Sequence, residues 1–275
     1  MRYELRATAH GQMLFDADDT YVGRALRELG QYSGEEAMLM CMLIEPGWVV
    51  VEAGAHIGTM TVPMARKCAA LYAFEPQRLM FQLLCANLAL NGLANVRAFE
   101  QALGETEGQC LVPTRPLSGS HNTGGCTLKG VKEGDAVRCR SVDSLGLPRL
   151  DLLKADVEEM ELEVLRGARK TIAAFRPLLY LESNTDHEPL FDELKALGYD
   201  AYWHFPPLLV EERNSIPTMV VSTNLLCYPK EHTARVGGGF VQAQSGDQAL
   251  AVADRQRRAA LAAYEAIQSE RTSTV

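Results

Sequence analysis

The chain has 275 residues, enough for one large α/β domain or two small ones with a buried core. Apolar residues make up 47% and charged residues 23%, which excludes collagen-like, disordered and coiled-coil proteins. The net charge of −8 argues against partners such as nucleic acid or an anionic membrane, because phosphate contacts require clustered lysine and arginine.

The N-terminus and the cysteines predict a cytoplasmic protein. The first six residues are followed by no apolar segment of the signal-peptide type, and the apolar run from Met38 to Ile44 is far shorter than the roughly 20 residues that span a bilayer. The seven cysteines are scattered and never form a CxxC pair, so neither a disulfide framework nor a zinc site is predicted.

From residue 48 onward, apolar segments of strand length alternate with segments of helix length, which is typical of a mostly parallel sheet covered by helices. The predicted strands are 48–52, 71–74, 96–99, 150–155, 178–181, 200–204 and 220–228. The predicted helices begin near residue 59 and cover 79–90, 159–175 and 189–197. Seven strands with a late returning pair indicate an α/β fold whose sheet has an antiparallel edge strand.

Three segments depart from this rhythm. Residues 1–45 are predicted to form a helical lead-in to the main domain, 46–232. Within that domain, glycine, serine, threonine and proline become frequent at about 104–149, and this segment is predicted to be a β-rich insertion with strands at 109–112, 126–129 and 136–140. Residues 233–275 are expected to form a tail with a helix, which could pack on the domain, mediate a dimer or stay solvated.

A glycine turn carries most of the chemical information. Gly54 and Gly58 follow a buried strand that contains Glu52, and this pattern predicts bare backbone amides at a helix N-terminus, where nucleotide-type ligands bind. Glu75 ends the next strand about 20 residues later, where an acid would accept both hydroxyls of a ribose. The structural alternatives are a tight loop for the glycines and a solvated acid for Glu75.

The spacing of the glycines decides between two classes of cofactor. Dinucleotide enzymes favour Gly-x-Gly-x-x-Gly, whereas this chain has Gly-x-x-x-Gly after Glu52. An acid at that position would repel a pyrophosphate and suits the ammonium or sulfonium of S-adenosylmethionine. The predicted cofactor is therefore S-adenosylmethionine, and a nicotinamide-dependent dehydrogenase is disfavoured.

A series of motifs runs in order along roughly residues 20–230. They are 30–35, 45–58, 74–76, 87–92, 102–104, 122–125, 142–145, 153–158, 163–168 and 224–226. In these motifs the chain resembles the FkbM-type S-adenosylmethionine-dependent methyltransferases. It departs from the family pattern by having Glu52 where Asp is usual, His56 where Asn is usual, and Glu159 where Asp-Val-Glu is followed by Gly.

The resemblance implies a Rossmann-like class I methyltransferase fold and a set of cofactor contacts. The methionine end would lie against Glu52, Gly54, Ala55, His56, Gly58 and Thr59, the ribose against Glu75 and Pro76, and the adenine against Gln101 and Ala102. Asp156, at the end of the fourth strand, would touch either the cofactor amine or the acceptor.

Four side chains are candidates for the base that deprotonates the acceptor: Asp156, Glu158, Glu182 and His121. The structural alternatives are a helix cap or first-turn acids for the carboxylates and a surface loop for the histidine. Segment 182–187 lacks the paired helical spacing of strong metal motifs, so no metal is predicted.

The resemblance implies O-methylation of a hydroxyl on a small metabolite, sugar or natural-product intermediate. The alternatives are N-methylation of a small molecule, or a methyltransferase-like binding or scaffold protein without turnover, which Glu159 suggests. The expected partner is a small-molecule methyl acceptor, with a homodimer possible.

Overall fold

The structure is a computed structural model. It describes residues 2–114, 121–183, 187–213, 216–235, 240–243, 252–255, 257–259 and 261–262; for 187, 210–213, 216–218 and 233–235 only the backbone is described. Among the described residues, no helix combines the length and the apolar character that a membrane crossing requires.

The strands of the described chain alternate with short helices. The strands are β1 (Tyr3–Thr8), β2 (Gly11–Asp16), β3 (Val49–Ala53), β4 (Ala70–Phe74), β5 (Val96–Phe99), β6 (Gln101–Leu103), β7 (Gly108–Val112), β8 (Asp135–Arg140), β9 (Leu152–Ala155), β10 (Leu178–Glu182), β11 (Tyr199–His204), β12 (Pro207–Arg213), β13 (Ile216–Val221), β14 (Asn224–Pro229) and β15 (Val241–Gln242). The α-helices are α1 (Val22–Leu29), α2 (Gly34–Leu43), α3 (Thr61–Ala65), α4 (Arg78–Leu90), α5 (Glu161–Arg166), α6 (Arg169–Phe175) and α7 (His187–Ala196). Two 3-10 helices cover Val142–Leu145 and Lys230–Arg235.

The main sheet has eight strands in the order β15-β11-β14-β10-β9-β3-β4-β5. The strands from β10 to β5 are parallel, and β14 runs antiparallel to both β10 and β11. The predicted α/β class with a mostly parallel sheet is confirmed.

Two details of the predicted sheet are wrong. The antiparallel strand β14 lies inside the sheet, between β10 and β11, and all six of its residues are buried. The eighth strand, β15, is an antiparallel edge strand of two residues, too short to produce an alternating pattern in the sequence.

The side chains of the sheet alternate between two apolar layers. On one face Val51, Leu153 and Leu181 pack against α5, α6 and α7. On the other, Val50 and Leu152 pack against α2, α3 and α4. The second face carries two buried charges near its carboxyl end, Glu52 and Lys154, which are direct neighbours in the register of β3 and β9.

The lead-in at residues 1–45 begins with a β-hairpin, β1–β2, so the prediction of a wholly helical segment is wrong. The β1 side chains are largely exposed and do not alternate between buried and exposed positions, so the sequence shows no strand pattern there. The hairpin packs on α4, where Asn87 accepts a hydrogen bond from the Leu14 amide (2.7 Å) and donates one to its carbonyl (3.1 Å).

The insertion contributes β7 and β8 to a separate three-stranded sheet in the order β6-β8-β7, in which β6 directly precedes the insertion. Its strands β7 and β8 match the predictions at 109–112 and 136–140. The predicted strand at 126–129 is wrong, since that segment is a loop in which the Cys126 amide donates to the Gly124 carbonyl (2.8 Å). The predicted strand at 220–228 is likewise two strands, β13 and β14, because β13 turns back onto β12 as a hairpin.

The described part of the C-terminal tail, 252–255, 257–259 and 261–262, is helical. Val252 and Ala253 are buried in the same apolar cluster as α5, α6 and α7. These two residues therefore pack on the α/β domain, the first of the placements considered for the tail.

Candidate cofactor and acceptor site

A cavity of about 320 Å³ opens at the carboxyl ends of β3, β4, β9 and β10. In open α/β sheets this edge is where ligands bind. Three segments outside the sheet also line the cavity: the lead-in with Tyr21, Tyr32 and Glu36, the insertion loop at 122–128, and the β12–β13 hairpin with Leu208 and Val220. Most predicted cofactor residues line this cavity, namely Glu52, Gly54, Ala55, His56, Thr59, Glu75, Pro76, Gln101, Ala102 and Asp156.

The glycine turn lines the cavity, but its amides are not bare. Gly54 has a φ of +80°, and a Cβ there would lie 1.8 Å from the Asp156 carbonyl oxygen, so only glycine fits. The amides of Gly54 and Ala55 donate to the Phe74 carbonyl (2.9 and 3.0 Å), and the Gly58 amide donates to the Ala55 carbonyl (2.9 Å). The prediction of an amide cradle at Gly54, Ala55 and Gly58 is therefore wrong, because β4 and the turn itself take up these donors.

Glu75 fastens the glycine turn to the next loop. Its Oε2 accepts from the His56 amide and its Oε1 from the Gln77 amide, both at 2.8 Å. Burial raises the pKa of Glu75 to about 7, against the lowering effect of the two backbone amides. Each oxygen keeps a second lone pair that can accept from a ligand hydroxyl.

Glu52 offers a free oxygen to the cavity. The side chain is 1% exposed, and its Oε2 accepts from the Thr61 hydroxyl at 2.6 Å. Its Oε1 is buried and accepts no hydrogen bond from the described residues, and the same is true of Gln101 Oε1. Burial raises the pKa of Glu52 to about 7, although the Lys154 ammonium opposes this shift.

Lys154 and Glu36 belong to the site and were missed in the sequence. The Lys154 ammonium lies 3.2 Å from Asp156 Oδ2 and 3.5 Å from Glu36 Oε1, and Glu52 is its strand neighbour. Burial lowers the pKa of Lys154, but Asp156, Glu36 and Glu52 outweigh it and the net shift is upward, so the ammonium stays charged. A lysine inside the otherwise apolar strand Leu152–Ala155 was the available signal.

Three of the candidate bases meet at the end of the cavity formed by β9 and β10. Carboxylate oxygens of Asp156, Glu158 and Glu182 all lie within 4.8 Å of one another. Burial, followed by the charges of Asp156 and Glu158, raises the pKa of Glu182 well above its usual range. Burial and these neighbouring charges thus disfavour the ionised form of Glu182. That the site holds no metal stays a prediction from the sequence.

Two predicted site residues do not line the cavity. The imidazole of His121 lies 2.8 Å from Asp16 Oδ2, and its carbonyl accepts from the Thr20 amide, so it joins the insertion loop to the lead-in. Gly58 faces α4, where a Cβ would lie 2.8 Å from Leu84 Cδ1. The predictions of a catalytic His121 and a ligand-facing Gly58 are therefore wrong. Both residues contribute to packing between segments and do not line the cavity. Asp186 and the His187 side chain, weighed for a metal, lie outside the described residues.

His56 lines the cavity as part of a polar relay to the lead-in. Its Nε2 lies 2.9 Å from the Thr123 hydroxyl, which in turn donates to Asp19 Oδ2 at 2.6 Å. Burial lowers the pKa of His56, so the imidazole is neutral at pH 7. The insertion loop and the lead-in are thus held together across the glycine turn.

Glu159 is not among the residues that line the cavity. Its side chain is exposed and lies 3.9 Å from the Lys129 ammonium, but its backbone has a φ of +77° directly after Glu158 at +54°. Side chains rarely adopt this left-handed region, which explains why a glycine is usual at this position in the family pattern. The added charge therefore does not fill the site.

Replacing Glu159 with glycine is expected to stabilise the protein by about 1 kcal/mol, because the relief of left-handed strain exceeds the entropic cost of glycine. Chemical denaturation of wild type and Glu159→Gly measures the difference. Glu159→Gln is the matched control, since it removes the exposed ion pair and keeps the strain, and we expect it to change stability by less than about 0.5 kcal/mol. Equal stabilities of the two variants would refute the assignment of strain.

Comparison with known proteins identifies the family. The model of the methyltransferase FkbM domain matches residues 52–201. The chain belongs to the FkbM methyltransferase family. Its cofactor is S-adenosylmethionine, the methyl donor of this domain.

Two curated fungal relatives are also methyltransferases. Methyltransferase sdnD of Sordaria araneosa is 34% identical, with 43% of this chain and 59% of the relative covered. Methyltransferase 1 of Beauveria bassiana is 30% identical, with 43% and 57% covered. The chain thus spans less than two thirds of the length of these relatives.

The chain is also similar to solved structures, among them the following two. Methyltransferase FkbM from Methylobacillus flagellatus is 17% identical with a TM-score of 0.45, covering 70% of this chain and 50% of that one. TYW2 of M. jannaschii, solved in complex with AdoMet, is 16% identical with a TM-score of 0.43, covering 82% and 86%.

The residues of the FkbM site fit S-adenosylmethionine. Its ammonium and hydroxyls are hydrogen-bond donors, and the cavity supplies acceptors without donors of their own at Glu52 Oε1 and Gln101 Oε1. Gly54 allows the turn after β3 to pack directly against the Asp156 carbonyl, which brings the β3 and β9 loops together at the cavity. When bound, the cofactor supplies a methyl group on a positively charged sulfur.

Proposed function

We propose that this FkbM protein transfers a methyl group from S-adenosylmethionine to a hydroxyl oxygen of a small metabolite, sugar or natural-product intermediate. The observation that carries the proposal is the grouping of Asp156, Glu158 and Glu182 at the open end of β9 and β10, beside the cavity. A hydroxyl nucleophile must lose its proton, and a carboxylate is a suitable acceptor.

The cofactor contacts follow from the free acceptors in the cavity. Glu52 Oε1 would bind the methionine end, the carboxylate of Glu75 the ribose hydroxyls, and Gln101 Oε1 the exocyclic amine of the adenine. This arrangement leaves Asp156, Glu158 and Glu182 on the side of the methyl group, because β9 and β10 follow β3 on the side opposite β4 and β5.

Asp156 is the best candidate for the base. The Lys154 ammonium lies 3.2 Å from its Oδ2, whereas burial raises the pKa of Glu182 well above its usual range. When bound, the cofactor would supply the methyl group, and the electron pair of the carbon–sulfur bond would remain on its sulfur as S-adenosylhomocysteine is formed. Asp156 would accept the proton of the acceptor hydroxyl as its oxygen takes the methyl group.

The acceptor side also has an apolar wall. Leu128 of the insertion loop and Leu208, Val220 and Val221 of the β12–β13 hairpin line the cavity together with Met160. An acceptor that fits this environment has an apolar flank next to its hydroxyl, and alignment of that hydroxyl with the methyl group supplies much of the acceleration.

A panel of hydroxylated and aminated small molecules, incubated with trideuteromethyl-labelled S-adenosylmethionine, tests the proposal by mass spectrometry. We expect S-adenosylhomocysteine and a labelled methyl ether in equal amounts. Label on nitrogen would favour the N-methyltransferase alternative. Tight binding of S-adenosylhomocysteine without any methylated product across the panel would favour a binding or scaffold protein.

With an acceptor in hand, Asp156→Asn is expected to lower kcat by about 10²- to 10⁴-fold, the usual contribution of a positioned base. The affinity for S-adenosylhomocysteine should change by less than a few fold, because asparagine keeps the shape of the side chain. Glu159→Gln is the control and should retain wild-type kcat. Unchanged turnover in Asp156→Asn would assign the base to Glu158 or Glu182.

A further inference from the structure

We propose that Glu36 of α2 is a second carboxylate that binds the α-ammonium of the cofactor, together with Glu52. This inference rests on the cofactor and on the methionine position proposed for Glu52. Glu36 lies in the lead-in, outside the matched family domain at 52–201, and sequence analysis assigned it no role. The lead-in would thus complete the cofactor site.

The first support is an unused buried oxygen. Glu36 is 4% exposed and lines the cavity, and its Oε2 accepts from the Ser33 hydroxyl at 2.8 Å. Its Oε1 lies 3.5 Å from the Lys154 ammonium, longer than an ordinary charge-assisted hydrogen bond, and accepts no hydrogen bond from the described residues. A buried carboxylate oxygen without a donor is costly unless a ligand supplies one.

The second support is the balance of charge around Lys154. Glu36, Glu52 and Asp156 all act on this one ammonium, which leaves an excess of negative charge when the carboxylates are ionised. Buried charges are stable only when they are paired. A second ammonium would restore the balance, and its three N–H donors suit the free oxygens of Glu36 and Glu52.

The cofactor has two positively charged groups, the α-ammonium and the sulfonium, and the free oxygens of Glu36 and Glu52 favour the ammonium. A sulfonium has no N–H to donate, so it cannot satisfy an unpartnered carboxylate oxygen. Glu52 lies on β3 directly before the Gly54 turn, whereas Glu182 ends β10, on the opposite side of β9 and Lys154 from β3. The Glu36–Glu52 pair therefore faces the amino-acid end of the cofactor.

Two probes isolate this contact without a methyl acceptor. S-adenosylhomocysteine carries the ammonium, whereas 5′-methylthioadenosine keeps the adenosine and the sulfur but has no amino acid. We expect Glu36→Gln to weaken the binding of S-adenosylhomocysteine by about tenfold or more and to change that of methylthioadenosine by less than twofold, as measured by calorimetry. Glu35→Gln, an exposed neighbour in the first turn of α2, should change neither affinity.

The outcomes separate this inference from the cofactor assignment. Equal losses for both probes in Glu36→Gln would show that Glu36 acts on the fold or through Lys154, and would overturn the inference. Failure of the wild type to bind S-adenosylhomocysteine would instead overturn the cofactor assignment. A chelator that removes the preference for S-adenosylhomocysteine would assign the free oxygens to a metal ion, which also overturns the inference.

Ser33→Ala keeps the test valid if Glu36→Gln folds poorly. It removes the hydroxyl that orients Glu36 but leaves the charge in place. We expect a loss of about threefold for S-adenosylhomocysteine alone, in proportion to one lost orienting hydrogen bond. An unchanged ratio of the two affinities in a folded Ser33→Ala variant would count against the ammonium contact.

Discussion

Glu52→Gln is expected to make the FkbM protein more stable above neutral pH and a poorer binder of its cofactor. Glutamine retains the shape of the side chain and an oxygen that can accept from the Thr61 hydroxyl, but it has no charge to bury. It also cannot pair with an ammonium. The variant therefore separates the cost of the buried acid to protein stability from its contribution to cofactor binding.

The sign of the stability effect follows from the pKa of Glu52. Burial raises it from an ordinary 4.5 to about 7, against the opposing charge of Lys154, while Glu36 and Asp156 add to the increase. A raised pKa in the folded state means that the contribution of Glu52 to stability is fully present below pH 4.5 and is lost as the pH rises through 7. Over that window the wild type loses about 3 kcal/mol from this group, and the variant does not.

Denaturant titrations of the wild type and Glu52→Gln at pH 4.5 and pH 8 measure this difference. We expect the difference in the free energy of unfolding, variant minus wild type, to increase by about 3 kcal/mol from pH 4.5 to pH 8. Contributions from Glu75 and Glu161, whose pKa values burial also raises to about 7, are common to both proteins and cancel. A constant difference between the two proteins would refute the raised pKa of Glu52.

The binding effect has its own pH dependence. Because an ammonium pairs with ionised Glu52, the affinity of the wild type for S-adenosylhomocysteine relative to methylthioadenosine should rise between pH 6 and pH 8. In Glu52→Gln the ratio should be lower by about tenfold at pH 8 and should depend less on pH. Methylthioadenosine corrects for the titration of Glu75, which contacts the ribose that both probes share in the proposed site.

Glu75→Ala is expected to lower the affinity for S-adenosylhomocysteine and for methylthioadenosine alike, by about 100-fold or more. The proposed site loses two hydrogen bonds from ribose hydroxyls to a carboxylate. The glycine turn also loses its tie to the next loop, because the amides of His56 and Gln77 donate to Glu75 at 2.8 Å. The equal loss for both probes distinguishes a ribose contact from the ammonium contacts of Glu52 and Glu36.

Calorimetry on the folded variant measures this loss, with circular dichroism as the check on folding. Glu100→Ala is the matched control, since Glu100 is an exposed acid directly after the neighbouring strand β5 and does not line the cavity. Its affinities should match those of the wild type. A folded Glu75→Ala protein that binds both probes normally would refute the ribose role.

The sequence predicted those site residues whose position in the cavity depends only on one strand and the loop that follows it. Glu52, Gly54, Glu75 and Asp156 line the cavity because each follows the carboxyl end of a strand or lies next to it, and parallel strands bring these ends to one edge. The positive φ of Gly54 was likewise accessible from the spacing of the turn.

Hydrogen-bond partners were not accessible in this way. The turn amides were expected to face a ligand, but those of Gly54 and Ala55 donate to the Phe74 carbonyl and that of His56 donates to Glu75, and both acceptors lie on or directly after the neighbouring strand β4. His121 carried the right chemistry for a base, but its loop packs against the lead-in and its ring pairs with Asp16. In both cases the deciding contact comes from a segment distant in sequence.

The sequence alone predicted the class of fold and the cofactor, because hydrophobic periodicity and the glycine–acid spacing are local properties of the chain. The order of its motifs carried the resemblance to the family. Only the tertiary structure decided which charges share the site. Lys154 lies inside an apolar strand and Glu36 on a helix more than 100 residues earlier, and the packing of α2 on the sheet brings them within 3.5 Å. Burial then makes this contact electrostatically strong, since little water remains to screen it.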